Sequence, residues 1–317
     1  MKAHGVKDQA LWFHVGLIGL LFAGHFILPE YHHGNLSRIM VLAVYATGYN
    51  IAFGYTGMLS LGHALFFAAG LYKAALLITL MGWSAGPAMV AGMVAGGLMA
   101  GAVGVLALRT AGTAFMIVTL MFAQAGYLTV LYLNRWTRGD EGIVIAQPLR
   151  RIGPLDLSDE GTRYLVALTL FAVGIFFCLW LVRSPFGRVM VAMRENEERA
   201  RMLGYNPFRV KLIALVISGL YAGAAGAAYA VLFGYAGASL ASVQYSILPM
   251  LWVLLGGAGT VAGPFIGCLL MFYLIAYAAD VTSATLLVVG VALVALVLFA
   301  PKGILGALRD RGAKWLP

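Results

Sequence analysis

Long apolar runs, separated by short polar stretches, set the pattern of this chain. The runs from Gly86 to Leu108 and from Ala284 to Ala300 contain no ionisable residue. Each approaches the length at which an α-helix crosses ~30 Å of hydrocarbon. The pattern predicts an all-α polytopic membrane protein with about ten membrane segments. We place the segments at residues 10–28, 38–58, 62–81, 86–108, 112–133, 164–182, 210–233, 243–257, 262–279 and 283–300.

Two parts of this pattern are irregular. The eighth segment is short, and Pro249 together with Gly256 and Gly257 predicts a half-helix. The second and third segments enclose eight polar side chains and four glycines between Tyr45 and His63. A lipid-facing helix does not hold so many polar groups, because each needs a hydrogen-bond partner in hydrocarbon. The stretch is typical either of hydrogen bonds between helices or of a broken helix that lines a solute path.

Composition excludes a soluble enzyme. Hydrophobic residues make up 62% of the 317 residues and charged residues only 10%, whereas a soluble domain carries about 25% charged residues. The sequence has no phosphate-binding glycine loop followed by Lys and Ser or Thr, and no paired His–carboxylate motif. We therefore expect no catalytic residue, no cofactor and no metal site. Cys178 and Cys268 lie within apolar runs and are interpreted as small core residues.

The basic residues indicate an orientation in a membrane rather than a nucleic-acid interface. The net charge is +9, and most Lys and Arg residues lie between the apolar runs. With the N-terminus inside, 14 of the 21 basic residues fall on the cytoplasmic side and six fall outside. By the positive-inside rule, both termini are then cytoplasmic. We expect one transmembrane domain over residues 1–317, with an ordered external loop at 134–163 and a cytoplasmic loop at 183–209.

The cytoplasmic loop contains a predicted surface helix. The stretch 188–204 consists mostly of good helix formers. Met193, Ala200 and Leu203 recur at helical spacing, while charges occupy the other faces. The pattern predicts one amphipathic helix that ends at Gly204.

Seven residues are candidates for a translocation path. A strongly polar group inside a membrane segment is a functional-site hypothesis by default. His63 is interpreted either as a hydrogen-bonded interface histidine or as a ligand or proton relay, and Gln124 either as a bond between helices or as a path residue. Lys73 either reaches the membrane surface with its long side chain or takes part in function. The candidate set is Asn50, Tyr55, Thr56, Ser60, His63, Phe66 and Gln124.

These residues carry a resemblance to a known family. The stretch from Gly54 to Phe67, GYTGMLSLGHALFF, resembles the signature of ABC importer permeases of the branched-chain amino acid group. Residues 193–204, MRENEERARMLG, resemble the cytoplasmic loop of the same family. Further similar stretches follow in the family's order at residues 118–124, 139–142 and 255–264.

The resemblance implies a multi-pass permease subunit of the bacterial cytoplasmic (inner) membrane that is not itself an enzyme. The implied partners, besides the lipid bilayer, are a second homologous permease, two cytoplasmic ATP-binding subunits and an external solute-binding protein. The ATP-binding subunits would press on the 183–209 loop. The spacing of Glu198, Ala200 and Gly204 resembles the "EAA…G" coupling pattern of ABC permeases, although Arg199 replaces an alanine. The residues implied in coupling are Arg194, Glu195, Asn196, Glu197, Glu198, Ala200 and Gly204.

The implied solutes are branched-chain or other hydrophobic amino acids. Urea, short amides and small aromatic or aliphatic carboxylates are alternatives, because the group handles these as well. The family resemblance implies a small residue at position 73, where this chain has Lys73. A cation near the path would suit a carboxylate. A stand-alone secondary carrier or channel is the alternative from another class. The scarcity of acidic residues deep in the membrane segments disfavours it.

Overall fold

A computed structural model describes residues 2–281 and 302–311, together with positions 284, 287, 290, 291 and 294. The described chain is mostly helical. Helices α1 to α12 are, in order, Lys2–Ile27, Glu30–Asn50, His63–Met81, Ala85–Ala107, Gly112–Tyr132, Asn134–Thr137, Glu160–Arg183, Pro185–Glu195, Glu197–Met202, Pro207–Phe233, Val243–Gly256 and Gly263–Val281. A π-helix, Ile51–Tyr55, continues α2, and a further helix spans Gly303–Arg311. Strands β1 to β4 are Ile143–Val144, Arg151–Ile152, Leu155–Asp156 and Tyr235–Ala236.

The observed helices agree with the segments predicted from the apolar runs. Seven of the described helices, α1 to α5, α7 and α10, are long and apolar enough to cross a membrane. The half-helix predicted for the eighth segment is confirmed, since α11 has 14 residues and contains Pro249. The tenth segment, 283–300, lies outside the described residues except at isolated positions. The all-α polytopic fold predicted from the sequence is confirmed.

Helices α2 and α10 form the centre of the bundle. The apolar window of α2 is 89% buried, the highest fraction among the seven spans, and α10 packs against α2, α3 and α4. Small residues permit this packing, because Gly92 and Gly96 on α4 face Gly223 on α10. A β-carbon on Gly223 would lie 2.7 Å from the carbonyl oxygen of Gly92. Close approach of glycine-rich backbones is a common basis of helix association in lipid.

The loop at 134–163 contains the short helix α6 and the strands β1, β2 and β3. Strand β1 in this loop pairs antiparallel with β4, which follows α10, so that Ile143 lies opposite Ala236. Asp159 begins α7 by accepting a hydrogen bond from the Thr162 backbone N–H at 2.8 Å. That bond holds the pKa of the Asp159 carboxyl below its usual range. The loop and the end of α10 therefore form one cap over the same end of the bundle.

Arg150 ties this cap to α10. Its side chain is 8% exposed, and its Nε donates to the carbonyl oxygen of Val231 at 2.9 Å. Its Nη2 donates to the carbonyl oxygens of Leu232 and Leu157. The last carbonyls of a helix have no partner within the helix, so a guanidinium placed there satisfies them and complements the helix dipole.

Replacing Arg150 by Met should lower the free energy of unfolding by about 2–4 kcal/mol, because it removes charged hydrogen bonds and leaves buried carbonyls unpaired. Arg151→Met is the matched control. The Arg151 side chain is 60% exposed, and its 3.6 Å ion pair with Asp156 is a surface pair, worth about 0–1 kcal/mol. Thermal unfolding of the purified protein measures both variants. Equal stability of the two would contradict the anchoring role of Arg150.

Candidate functional site

The second membrane helix is broken at the predicted polar stretch. Helix α2 passes into the π-helix Ile51–Tyr55, and α3 begins only at His63. Thr56 Oγ1 donates to the carbonyl oxygen of Ile51 at 2.9 Å. Gly57 follows with a φ of +77°, in the left-handed region that favours glycine. Short π-helical turns are rare and often occur at functional sites. This break is therefore a candidate functional site.

The Asn50 side chain connects this break to a second interruption, in the turn that contains Gly259 and Thr260. Its Nδ2 donates to the carbonyl oxygen of Thr260 at 2.9 Å, and its Oδ1 accepts from the Gly259 N–H at 2.9 Å. Gly259 and Thr260 belong to the turn between the half-helix α11 and α12. The Asn50 side chain is fully buried. One amide therefore ties together two interrupted membrane helices.

The other candidates near the break are also buried, among them Tyr55. His63 Nε2 lies 2.7 Å from the hydroxyl of Ser218 on α10. The Phe66 ring packs edge-on against the His63 ring, and the hydroxyl of Ser60 accepts from the backbone N–H two residues further on. Protein encloses all of these side chains.

Three buried polar atoms beside the break have no hydrogen-bond partner within the described part of the chain. They are the hydroxyls of Tyr49 and Tyr55 and the Nδ1 of His63. The rings of Tyr49 and His63 are in edge contact, with 4.7 Å between their centroids. Buried polar atoms without a partner are uncommon, and each costs about 1–3 kcal/mol. The break therefore holds unused hydrogen-bonding capacity.

Gln124 is separate from this cluster. It lies on the exposed side of α5, next to the exposed Met121 and Leu128 along the helix. Lys73 is exposed as well, on α3. The structure thus brings six of the seven path candidates together and leaves Gln124 apart. Cys178 and Cys268 are buried and unpaired, so their interpretation as core residues is confirmed.

The loop at 183–209, for which a cytoplasmic location is predicted, forms two helices, and the prediction of one helix over 188–204 is wrong. Helix α8 ends at Glu195 and α9 begins at Glu197, because the backbone of Asn196 is extended, with φ −159° and ψ 103°. The Asn196 Oδ1 accepts from the Arg199 N–H at 2.9 Å and caps α9. Asparagine is among the residues preferred at this capping position.

The apolar face predicted for this loop is wrong in part. Met193 and Ala200 are buried, but Leu203 is 76% exposed and Met202 is 84% exposed. The break at Asn196 interrupts the helical register between α8 and α9. Residues spaced for one continuous helix therefore no longer share a face, and two large apolar side chains are left exposed.

Arg194 is exposed, but its guanidinium reaches the broken helix. Its Nη1 donates to the carbonyl oxygen of Gly54 in the π-helix. Glu197 is held by Lys211 on α10 at 2.6 Å and faces Arg201 at 3.7 Å. Ala200 is buried, and Gly204 has a φ of +89° just beyond α9. Glu195, Asn196 and Glu198 are exposed as well.

A cavity of about 530 Å³ opens beside α9. A second cavity of about 320 Å³ adjoins it at the turn between α4 and α5 and extends to Met58, next to the helix break. Both cavities are lined by Lys211. The wall of the first also carries Glu197, Arg201, Tyr205 and Phe208. Open space thus separates part of the loop from the membrane helices.

Sequence reasoning missed the partners of the buried candidates. Gly259 and Thr260 bind Asn50, and the preceding glycines in the run 256–259 were a visible turn signal. Ser218, the partner of His63, lies among the small residues that fill α10, and nothing near it in the sequence marks it. The exposure of Leu203 depends on the break at Asn196.

The fold and the site define an integral membrane protein of the transporter class: a bundle of spanning helices with a broken helix at its centre. Residues 33–300 match the family model described as "Branched-chain amino acid transport system / permease component". This match covers most of the chain, so the chain belongs to that family of ABC importer permeases, as the resemblance predicted. It is a multi-pass protein of the inner membrane.

Several characterised permeases are similar to this chain. It is 30% identical over 328 residues to the high-affinity branched-chain amino acid transport system permease protein LivM of Escherichia coli, which covers 94% of this chain and 76% of LivM. LivM of Salmonella typhimurium is 29% identical over 326 residues, with the same coverage. BraD of Pseudomonas aeruginosa is 26% identical over 301 residues, covering 88% of this chain and 98% of BraD. No solved structure matches.

Proposed function

We propose that this chain and a second homologous permease form the membrane path of an ATP-driven importer for branched-chain or other hydrophobic amino acids. Two cytoplasmic ATP-binding subunits supply the energy, and an external solute-binding protein delivers the solute. The chain itself performs no chemistry. The solute class is supported by the names of relatives that align with 94% and 88% of the chain.

One observation carries the energy-coupling part of this proposal. The end of the cytoplasmic loop exposes four large apolar side chains, those of Met202, Leu203, Tyr205 and Phe208, which we call the docking patch. Glu197 and Arg201 line the same cavity as Tyr205 and Phe208. Further Arg and Glu residues flank the patch in the sequence, and the loop is too charged to enter a bilayer. An apolar centre with a charged rim is typical of a protein interface. We assign the patch to contact with an ATP-binding subunit.

The buried site supports a path that opens and closes. In this conformation the side chains of Asn50 and His63 are engaged by the protein itself. Passage of a solute requires α2 and α3 to move relative to α10, and the turn after α11 follows α2 because Asn50 binds it. ATP binding can drive that movement only if the ATP-binding subunits contact the loop differently in the two states.

The chemistry of the break suits a neutral or zwitterionic solute. No acidic residue occurs between Tyr45 and His63. Once the helices separate, the hydroxyls of Tyr49 and Tyr55 and the Nδ1 of His63 become available to a solute or to water. These groups offer hydrogen bonds without a fixed negative charge, which an ion-driven carrier ordinarily needs within the membrane.

Leu203→Asp should weaken the association of the ATP-binding subunits with the permease pair at least about ten-fold. Loss of an anchor at the centre of an interface costs about 2 kcal/mol or more, and about 1.4 kcal/mol corresponds to ten-fold in affinity. Leu155→Asp is the matched control, since Leu155 is 48% exposed on β3, in the cap formed by the 134–163 loop. Co-purification measures association, and uptake of labelled leucine into proteoliposomes measures function.

Two results would contradict the proposal. Unchanged association and uptake in Leu203→Asp would remove the docking patch from the mechanism. Uptake of urea, a short amide or a small carboxylate by the wild-type complex, with none of leucine, would refute the solute class while leaving the importer class intact.

A further inference from the structure

We infer that Arg194 is the positioning residue that passes movement of the cytoplasmic loop to the broken membrane helix. The inference rests on the proposed ATP-driven function. Arg194 lies in the last turn of α8, and the docking patch begins at the end of α9. The same loop therefore contacts the helix break at Arg194 and, from Met202 onward, offers the surface assigned to the ATP-binding subunit.

A residue of the 183–209 loop donates a hydrogen bond to a carbonyl oxygen at the end of the broken helix. The carbonyl oxygens of residues 51–53 accept hydrogen bonds from residues 56–58 within the same turn. The carbonyl oxygen of Gly54 instead accepts from the guanidinium of Arg194, which is 140 residues away in sequence. A cation at the C-terminal end of a helix also complements the helix dipole. The conformation of the break is thus tied to the position of α8.

Glycines make room for the Arg194 side chain. A β-carbon on Gly57 would lie 2.9 Å from the Cγ of Arg194 and 3.4 Å from its Cα. A β-carbon on Gly259 would lie 2.9 Å from the Nη1 of Arg194. The carbonyl oxygen of Gly259 also accepts from Arg309 at 3.5 Å. The guanidinium of Arg194 therefore lies against both interruptions, the end of the π-helix and the turn after α11.

The connection between the docking patch and Arg194 is short. Helices α8 and α9 are joined by Asn196 alone, and Glu197 in the first turn of α9 is tied to Lys211 on α10 at 2.6 Å. Displacement of α9 therefore reaches Arg194 without passing through a long flexible segment. Without the bond to Gly54, the ATP-binding subunits would still bind the patch and hydrolyse ATP, but the helix break would not follow their movement.

The test uses the reconstituted complex of both permeases, the ATP-binding subunits and the solute-binding protein. Arg194→Met keeps the apolar stem and removes the donor, and Arg188→Met changes an exposed arginine on the same helix. We expect Arg194→Met to assemble and to keep its basal ATP hydrolysis. Its stimulation by loaded binding protein, and the leucine transported per ATP, should fall at least about five-fold, the lower end of typical coupling between sites. Arg188→Met should stay within about two-fold of the wild type.

A second variant tests the same contact without changing the identity of Arg194. Gly57→Ala forces Arg194 to shift from its position beside the break, because the new β-carbon would meet Arg194 Cγ at 2.9 Å. Gly82→Ala is its control: Gly82 has a φ of +65°, close to the +77° of Gly57, but no atom of the described residues lies within 4 Å of a β-carbon built there. Both changes strain the backbone, and only the first displaces Arg194. Transport per ATP should fall in Gly57→Ala and not in Gly82→Ala.

The outcomes separate the two claims. Wild-type stimulation in an assembled Arg194→Met complex would overturn the inference. If that variant does not assemble, wild-type transport per ATP in Gly57→Ala would overturn it instead. If the wild-type complex shows no solute-stimulated ATP hydrolysis, both the proposed function and the inference are refuted. If the wild-type complex shows this stimulation and the Arg194→Met and Gly57→Ala variants show it equally, only the inference is refuted.

Discussion

A cysteine at position 156 should react with an impermeant maleimide added to right-side-out membrane vesicles, and a cysteine at position 199 should not. Position 156 precedes α7 and position 199 follows it. With 24 residues, α7 is about 36 Å long at 1.5 Å per residue, enough to cross ~30 Å of hydrocarbon. The two positions therefore lie on opposite sides. The division of basic residues, 14 against six, assigns position 199 to the inside.

The labelling experiment has little background in this chain. Both native cysteines, Cys178 and Cys268, are buried, and buried thiols react poorly. The Asp156 side chain is 44% exposed in its ion pair, so a cysteine there is accessible. Permeabilised vesicles, in which position 199 should label fully, provide the control. Labelling of 199 but not 156 in intact vesicles would invert the orientation and place the docking patch on the wrong side for ATP-binding subunits.

The membrane helices were predictable because each apolar run ends at residues that cannot continue it. The third predicted segment, 62–81, is observed as His63–Met81, followed by Gly82 in the left-handed conformation. The fourth, 86–108, is observed as Ala85–Ala107. Hydrocarbon favours helices with all backbone bonds satisfied internally, so hydropathy and glycine position together determine these boundaries with little help from tertiary contacts.

The break between α8 and α9 was missed although the sequence carried a signal for it. Asn196 is followed by two acidic residues, Glu197 and Glu198, and asparagine before an acidic first turn is typical of a helix start. Helix propensity alone favoured continuity, because a single asparagine lowers it only slightly. The capping bond to the Arg199 N–H decided the outcome.

The direction of Arg194 could not be predicted from the sequence. Arg194 is one of several arginines in a charged segment and resembles part of a solvated face. Its partner is the backbone carbonyl of Gly54, which only tertiary folding brings near. The same holds for Asn50, whose partners lie more than 200 residues away. Polar groups in broken helices form pairs that have no local spacing rule, so the sequence indicates that such residues matter without indicating what they bind.

Replacing Asn50 by Leu should reduce leucine uptake roughly 30-fold or more. Leucine has a similar size but cannot bind the Gly259 N–H or the Thr260 carbonyl, which Asn50 satisfies at 2.9 Å each. Two buried backbone groups left unpaired cost about 1–3 kcal/mol each. The state in which Asn50 joins the two helix breaks is then destabilised by about 2–6 kcal/mol in total. The lower end of this range reduces the population of that state about 30-fold. The two interrupted helices would then no longer move as a unit.

Thr47→Val is the matched control for this prediction. Thr47 lies on the same helix and is also buried, but its hydroxyl donates only to the carbonyl oxygen of Ala43 in its own helix, at 2.7 Å. Loss of that bond should cost about 1 kcal/mol or less, and uptake should change little. The thermal stability of both purified variants shows whether Asn50 acts by holding the two breaks together. A stable Asn50→Leu protein with altered solute preference would show that Asn50 contacts the solute instead, and a variant with wild-type stability and uptake would remove Asn50 from the site.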